Sequence, residues 1–231
     1  MTDTPDRDLN KKLIAAATGG DHKAIKRLLG QGANSMAGDS AALFLAADNG
    51  HAECVKLLIP LSDPKANESR ALSWAAHNGH AECVKLLIPV SDINACSKSL
   101  GLAARFGHTE CLRLLLPVSH PDDRPQALQD AIDYRNNECA KLLIPAQGSL
   151  LKSKNTLASV FFHGRADLLS LMLACEPLIL TGFNTPRQRE IAIANGHANL
   201  ARLLSSVIEQ EALSADLPPS SARDAPAPRR L

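Results

Sequence analysis

Aromatic residues are scarce in this chain: one Trp, one Tyr and five Phe among 231 residues. A core built on large rings is excluded, and abundant Ala and Leu point instead to short helices stacked closely. Neither sign of charge dominates, with 25 Lys and Arg against 24 Asp and Glu and a formal net charge of +1. A nucleic-acid surface needs an excess of cations to displace condensed counterions, so no nucleic-acid partner is expected. No stretch reaches the roughly 18 apolar residues of a membrane-crossing helix. Met1 to Lys12 is polar and has no apolar core, so no secretory signal is legible, and there is no C-terminal lipidation Cys. Gly-rich phosphate loops, paired-carboxylate motifs and the Gly-x-Ser-x-Gly elbow are all missing, so neither catalytic residues nor a cofactor are expected.

What the chain does have is one phrase, repeated. Gly50-His51-Ala52-Glu53-Cys54-Val55-Lys56-Leu57-Leu58-Ile59-Pro60 recurs unchanged from Gly79 to Pro89. It returns in variant form from Gly107 to Pro117, and more distantly from Arg135 to Pro145. The prolines stand at 60, 89, 117 and 145, so the period is 29, 28 and 28 residues. A fixed period of roughly 20–50 residues is the signature of a solenoid.

Within one unit the helix signals are local. Ala71 to Asn78 is a short helix of good formers, and Gly79 follows where a left-handed C-cap is wanted. His80 to Ile88 is a second helix, with Cys83, Val84, Leu86, Leu87 and Ile88 on a wide apolar face. Glu82 early and Lys85 one turn later suit the helix dipole, and Pro89 stops the ladder. Helices of eight or nine residues do not hold alone in water. Each pair must bury its faces against neighbours, which demands an array with altered units at its ends.

A short helix ending in Ala-Ala-x-x-Gly-His, then Glu-x-x-Lys-Leu-Leu, then a polar connection, resembles the ankyrin repeat. With the capping residue as reference, seven units fall at Gly20, Gly50, Gly79, Gly107, Arg135, Gly164 and Gly196. The expected fold is all-α: an ankyrin-repeat solenoid of about seven stacked helix-turn-helix units with short connecting fingers. The expected domains are an unstructured 1–8, the repeat domain over 9–213, and a disordered Pro/Ser/Ala-rich tail over 214–231. Three departures from the family pattern stand out. The period is shorter than the family's roughly 33 residues, so any β-hairpin fingers should be short. The Thr-Pro-Leu-His opening is absent. Arg135 replaces the capping Gly, and Asn136 is expected to take the left-handed turn in its stead, since Asn tolerates it better. Unit five is therefore expected to be the least stable. Glu176 to Pro186 allows a longer connection before the last unit.

Four of the six cysteines, Cys54, Cys83, Cys111 and Cys139, hold one place in successive units. Stacked helices set equivalent atoms about 8–10 Å apart, whereas a disulfide needs Cα atoms within about 7 Å. These residues read as reduced, buried, small apolar groups in a reducing compartment. The His-x-Glu-Cys ladder, at His51/Cys54, His80/Cys83 and His108/Cys111, also admits a metal-binding or enzymatic alternative. One unit offers two ligands and the next pair is too distant to complete a tetrahedron, so no metal is expected.

The resemblance implies a non-catalytic protein–protein interaction module, binding a protein partner through the concave face and fingers. The residue pairs just before the capping position line that face in the family. Here they include His77-Asn78, Arg105-Phe106, Asp133-Tyr134 and Phe162-His163. The fourteen such positions in seven units hold three of the seven aromatics, where the chain's 3% rate gives about 0.4. Aromatic and Arg residues dominate binding hot spots. The candidate footprint is therefore His77, Asn78, Arg105, Phe106, Asp133, Tyr134, Phe162 and His163. The alternative is that Phe106 or Phe162 merely covers the seam between helices. Polar Asp6 to Lys12 suits a capped first end, so a monomer is expected. The expected location is cytoplasmic, within the producing cell or, as for some microbial ankyrin proteins, a host cell.

Overall fold

Seven residues hold a left-handed backbone where the first helix of a pair ends: Gly20, Gly50, Gly79, Gly107, Arg135, Gly164 and Gly196, with φ between 60° and 79°. They are the seven reference positions of the sequence period. In the computed structural model, which describes residues 4–146, 154–180 and 183–215, these turns join seven helix pairs. The pairs are α1 (Thr4–Thr18) with α2 (His22–Gly30), α3 (Ala37–Asp48) with α4 (Ala52–Leu58), and α5 (Ala66–His77) with α6 (Ala81–Leu87). Next come α7 (Ile93–Phe106) with α8 (Thr109–Leu115) and α9 (Arg124–Asp133) with α10 (Asn137–Ala146). The last two are α11 (Lys154–Phe162) with α12 (Ala166–Cys175), and α13 (Thr185–Ala194) with α14 (Ala198–Ala215).

Odd-numbered helices pack on one another in sequence order to form an inner row, and even-numbered helices form an outer row. The core lies between the rows. Its inner side is a run of leucines seven residues before each capping position: Leu13, Leu43, Leu72, Leu100, Leu128 and Leu157, all buried. Its outer side holds the thiols of Cys54, Cys83, Cys111 and Cys139 beside Val55, Val84, Leu112 and Ala140, also buried. In unit seven the leucine position is Arg189, exposed, with its Nε donating to Ser205 Oγ at 2.7 Å. Among the described residues no further unit stacks on unit seven, and a polar residue suits such an end.

The connections contain no strand among the described residues. Instead of a hairpin finger, 3₁₀ turns over Ile59–Leu61 and Ile88–Val90 carry each proline past the outer helix. Three consecutive left-handed residues lie at the start of the inner helix in two units: Gly38, Asp39 and Ser40 in unit two, and Asn67, Glu68 and Ser69 in unit three. Unit four lacks this turn, and α7 runs as one regular helix. The stretch from Pro89 to Gly107 is one residue shorter than that from Pro60 to Gly79, and the left-handed turn takes up the extra residue. Ser40 Oγ and Ser97 Oγ, at matching places, accept from the backbone N–H of Asp63 (2.8 Å) and His120 (2.9 Å), tying each inner helix to the next connection whether or not it begins with that turn.

Two expectations change. α1 begins at Thr4, so its first turn lies inside the stretch 1–8 read as unstructured, and this helix supplies the polar end of the array. Arg135 itself takes the left-handed conformation at φ 60°. Asn136 is not in that region, because its side chain has other work, described below. The tail expected over 214–231 lies outside the described residues from 216 onward. In the connection from Glu176 to Pro186, Ile179 and Leu180 are buried, and Phe183 sets its ring 6.2 Å from that of Phe161.

Candidate partner-binding face

The C-terminal ends of the inner helices are fixed by a clasp from the following unit. His51 Nε2 donates to the Thr18 carbonyl (2.9 Å), His80 Nε2 to Asp48 (3.0 Å) and His108 Nε2 to His77 (2.8 Å). A carbonyl only accepts, so each ring carries its proton on Nε2. The clasp satisfies a carbonyl that the helix end leaves open. It also demands glycine twice over. A Cβ on Gly79 would lie 2.5 Å from His108 Nδ1, in addition to the cost of φ +79°. Asn136 fills the same place in unit five, donating to the Ala104 (2.8 Å) and Arg105 (2.6 Å) carbonyls.

The junction between units five and six differs. Arg135 carries a Cβ where a ring would press, and the residue at the histidine place is Arg165. Its guanidinium turns to Asp167 in a bidentate pair at 3.1 and 2.9 Å. The loss of glycine and the loss of the opposing ring thus occur together, since either alone would clash or leave a gap.

These contacts account for the His-x-Glu-Cys ladder. The rings of His51, His80 and His108 are engaged with backbone carbonyls, and the cysteines three residues on are buried and unpaired. Burial pushes the Cys83 and Cys111 thiols up from 9.0 to about 11, the opposite of what a nucleophile or metal ligand needs. Among the described residues, no three His, Cys, Asp or Glu side chains gather closely enough to hold a metal.

With the helix ends held, the side chains beside them project in a row. Phe106 is 45% exposed, Tyr134 57% and Phe162 74%. His77 lies against Phe106 with centroids 4.1 Å apart. Arg105 stands over the Tyr134 ring at 5.3 Å, and Phe162 meets the His163 ring at 5.1 Å. His163 Nε2 lies 3.8 Å from Asp133 Oδ1. Asn78 Nδ2 donates to Asp48 through both its carbonyl and its carboxylate, each at 2.9 Å. All eight candidate residues therefore stand on consecutive inner-helix ends; Tyr134 and Phe162 are mostly open, and Phe106 is about half covered, its ring lying on His77 of the preceding inner helix.

Sequence reasoning missed the extension of this row toward the first unit. Trp74, 40% exposed, lies 5.0 Å from His77 and 6.3 Å from Phe44. Arg70 sits 3.8 Å above the Phe44 ring. Phe44, Trp74, His77 and Phe106 thus form a continuous aromatic line across units two to four. The signal was present as one aromatic on each of two inner helices, six residues ahead of Gly50 and five ahead of Gly79, one turn before the pair next to the capping position.

Residues 13–99 match the family model described as ankyrin repeats (3 copies). Over those residues the chain carries ankyrin repeats. The match spans most of units one to three and ends inside α7, and the later units of the ankyrin array repeat the same helix pair and capping turn. No curated protein matches the chain. No helix among the described residues is long and apolar enough to cross a membrane.

Proposed function

We propose that this ankyrin array is a non-catalytic module that binds a protein partner along the inner-helix row, on its concave face. Ankyrin repeats are protein-interaction modules in general. The observation that carries the reading is the row of open aromatic rings on consecutive inner-helix ends, Trp74, Phe106, Tyr134 and Phe162. Exposed rings gathered on one face mark interaction sites, and rings held on a rigid backbone lose little entropy on binding. The footprint comprises His77, Asn78, Arg105, Phe106, Asp133, Tyr134, Phe162 and His163, extended by Phe44 and Trp74. Five buried unpaired thiols fit a monomer working in the cytoplasm or another reducing compartment.

The test is affinity capture from native-source lysate with the wild type and with a Phe106→Ala/Tyr134→Ala/Phe162→Ala variant. The three rings contribute little to the core, so the variant should keep the wild-type circular dichroism and melt within about 1 kcal/mol of it. A partner held by the wild type and lost by the variant supports the reading. Equal capture by both would remove this footprint.

A further inference from the structure

In units one to six, the residue three places before the capping position is buried: Ala17, Ala47, Ala76, Ala104, Ile132 and Phe161. In unit seven that residue is Ile193, and it is 55% exposed. The seat above the capping turn is open in the same way. A Cβ on Gly20, Gly50, Gly79, Gly107 or Gly164 would strike a ring or amide supplied by the next unit, whereas nothing lies within 4 Å of one on Gly196. Among the described residues no side chain donates to the Ala194 carbonyl, the counterpart of the carbonyls that His51, His80 and His108 clasp.

Ile193 and Gly196 line a cleft of about 330 Å³ between α13 and α14, together with Ala201, Ser205, Arg189 and Arg202. The lining residues include two arginines and no acidic group. Arg189 gives one N–H to Ser205, and Arg202 has no ion pair among the described residues. Internal junctions show what meets a cation at this place. Lys141 stands six places past its capping position, as Arg202 does. Its ammonium is held above its usual range first by the hydrogen bond to Glu138, and further by the charge of Asp167 on the following outer helix. Asp167 is three places past its own capping position, where units two to five have Glu53, Glu82, Glu110 and Glu138. Arg202 is thus the cation of a repeated junction whose acidic half is missing.

We propose that the open end of unit seven receives an acidic, amphipathic helix of a protein partner, stacked as a next outer helix would be. A His or Asn at that helix's first position closes over Gly196 onto the Ala194 carbonyl. Its apolar face covers Ile193, and a carboxylate two positions on pairs with Arg202. A second copy of this chain is a poor occupant. Its first unit has Asp21 at the histidine place, which accepts and does not donate, and Lys23 at the acidic place. Two copies meeting by their last units would set arginine against arginine. This surface lies apart from the inner-helix row and does not rest on it.

The probe is a hydrocarbon-stapled helical peptide copying residues 80–88 with Lys85→Glu, which presents His80 and Glu82 on an acidic helix. Amide chemical shifts of the full chain are the readout. Saturable shifts are expected at residues 193, 196, 201 and 202. They should weaken about tenfold or more in Ile193→Asp, in Arg202→Glu, and when the peptide carries His80→Ala. A peptide with Glu82→Lys should lose binding to the wild type and regain it with Arg202→Glu. Ile193 and Arg202 are both exposed, so these variants should keep the fold, and melting curves establish that they do. No saturable shift, shifts that survive both variants, or no regain in the charge swap would overturn the proposal. So would shifts at 193 and 196 on concentrating the chain alone, which would make the occupant a second copy. Cross-peaks from residues 216–231 to Ile193 would make it the chain's own tail and overturn it equally. The Phe106→Ala/Tyr134→Ala/Phe162→Ala variant should bind the peptide as the wild type does, so failure of this end and failure of the inner row are told apart.

Discussion

At the scale of single residues, the same amino acid carries opposite consequences at two places. Gly79 is left-handed and has the His108 ring against it, whereas Gly101 sits in a regular helix beside open space. Gly79→Ala should therefore destabilise the array by about 2–4 kcal/mol, from the left-handed backbone and the overpacked ring together. Gly101→Ala should stabilise it by up to about 1 kcal/mol through helix propensity. Urea unfolding of the two variants checks both signs, and equal effects would mean that the clasp is not what selects glycine. The capping glycines were legible in the sequence because turn chemistry is local. That His108 is the group requiring one of them was not, since the ring comes from the following unit.

At the scale of the helix pair, each junction is held by packing plus a clasp, except the one between units five and six. Arg135 there holds a left-handed conformation that costs a side-chain-bearing residue about 1–2 kcal/mol, and Arg165 donates to Asp167 instead of to a carbonyl of α9. Arg135→Gly should relieve the backbone cost. Arg165→His alone should destabilise, because its ring would meet the Arg135 Cβ. Together they should restore the clasp, with a favourable coupling of about 1 kcal/mol or more in a double-mutant cycle. Additive effects would show that no clasp forms. Hydrogen exchange should find α9 to α12 less protected than α5 to α8, and equal protection would contradict the weak junction. The sequence pointed to unit five through Arg135 alone. That the clasp is missing on the unit-six side, while Asn136 ties unit five to unit four, came only from the structure.

At the scale of the whole molecule, the thiols form a buried line that couples the array to alkaline pH. Desolvation lifts Cys83 and Cys111 from 9.0 to about 11. In the unfolded chain these groups ionise near 9.0, so the neutral, folded form is favoured fully below pH 9. That advantage is then lost as pH rises toward 11. Urea midpoints should fall over that range by an amount worth a few kcal/mol, on the order of two groups shifted by two units. A Cys83→Ala/Cys111→Ala variant, less stable at pH 7, should show a flatter decline, and parallel declines would sink the linkage. The sequence by itself determined the period, the helix pairs, the seven capping positions and the apolar place of the ladder cysteines. Each of those is written inside one unit by turn chemistry and apolar spacing, and then copied. Tertiary structure alone decided which unit supplies each clasp, that Arg135 and Arg165 change together, and that Phe44 and Trp74 extend the aromatic row. These are pairings between residues roughly thirty apart, and a single unit does not say what its neighbour will place against it. Arg189 shows the same limit: where six units bury a leucine, the seventh has no further unit on it among the described residues, and its exposure there lets an arginine fit.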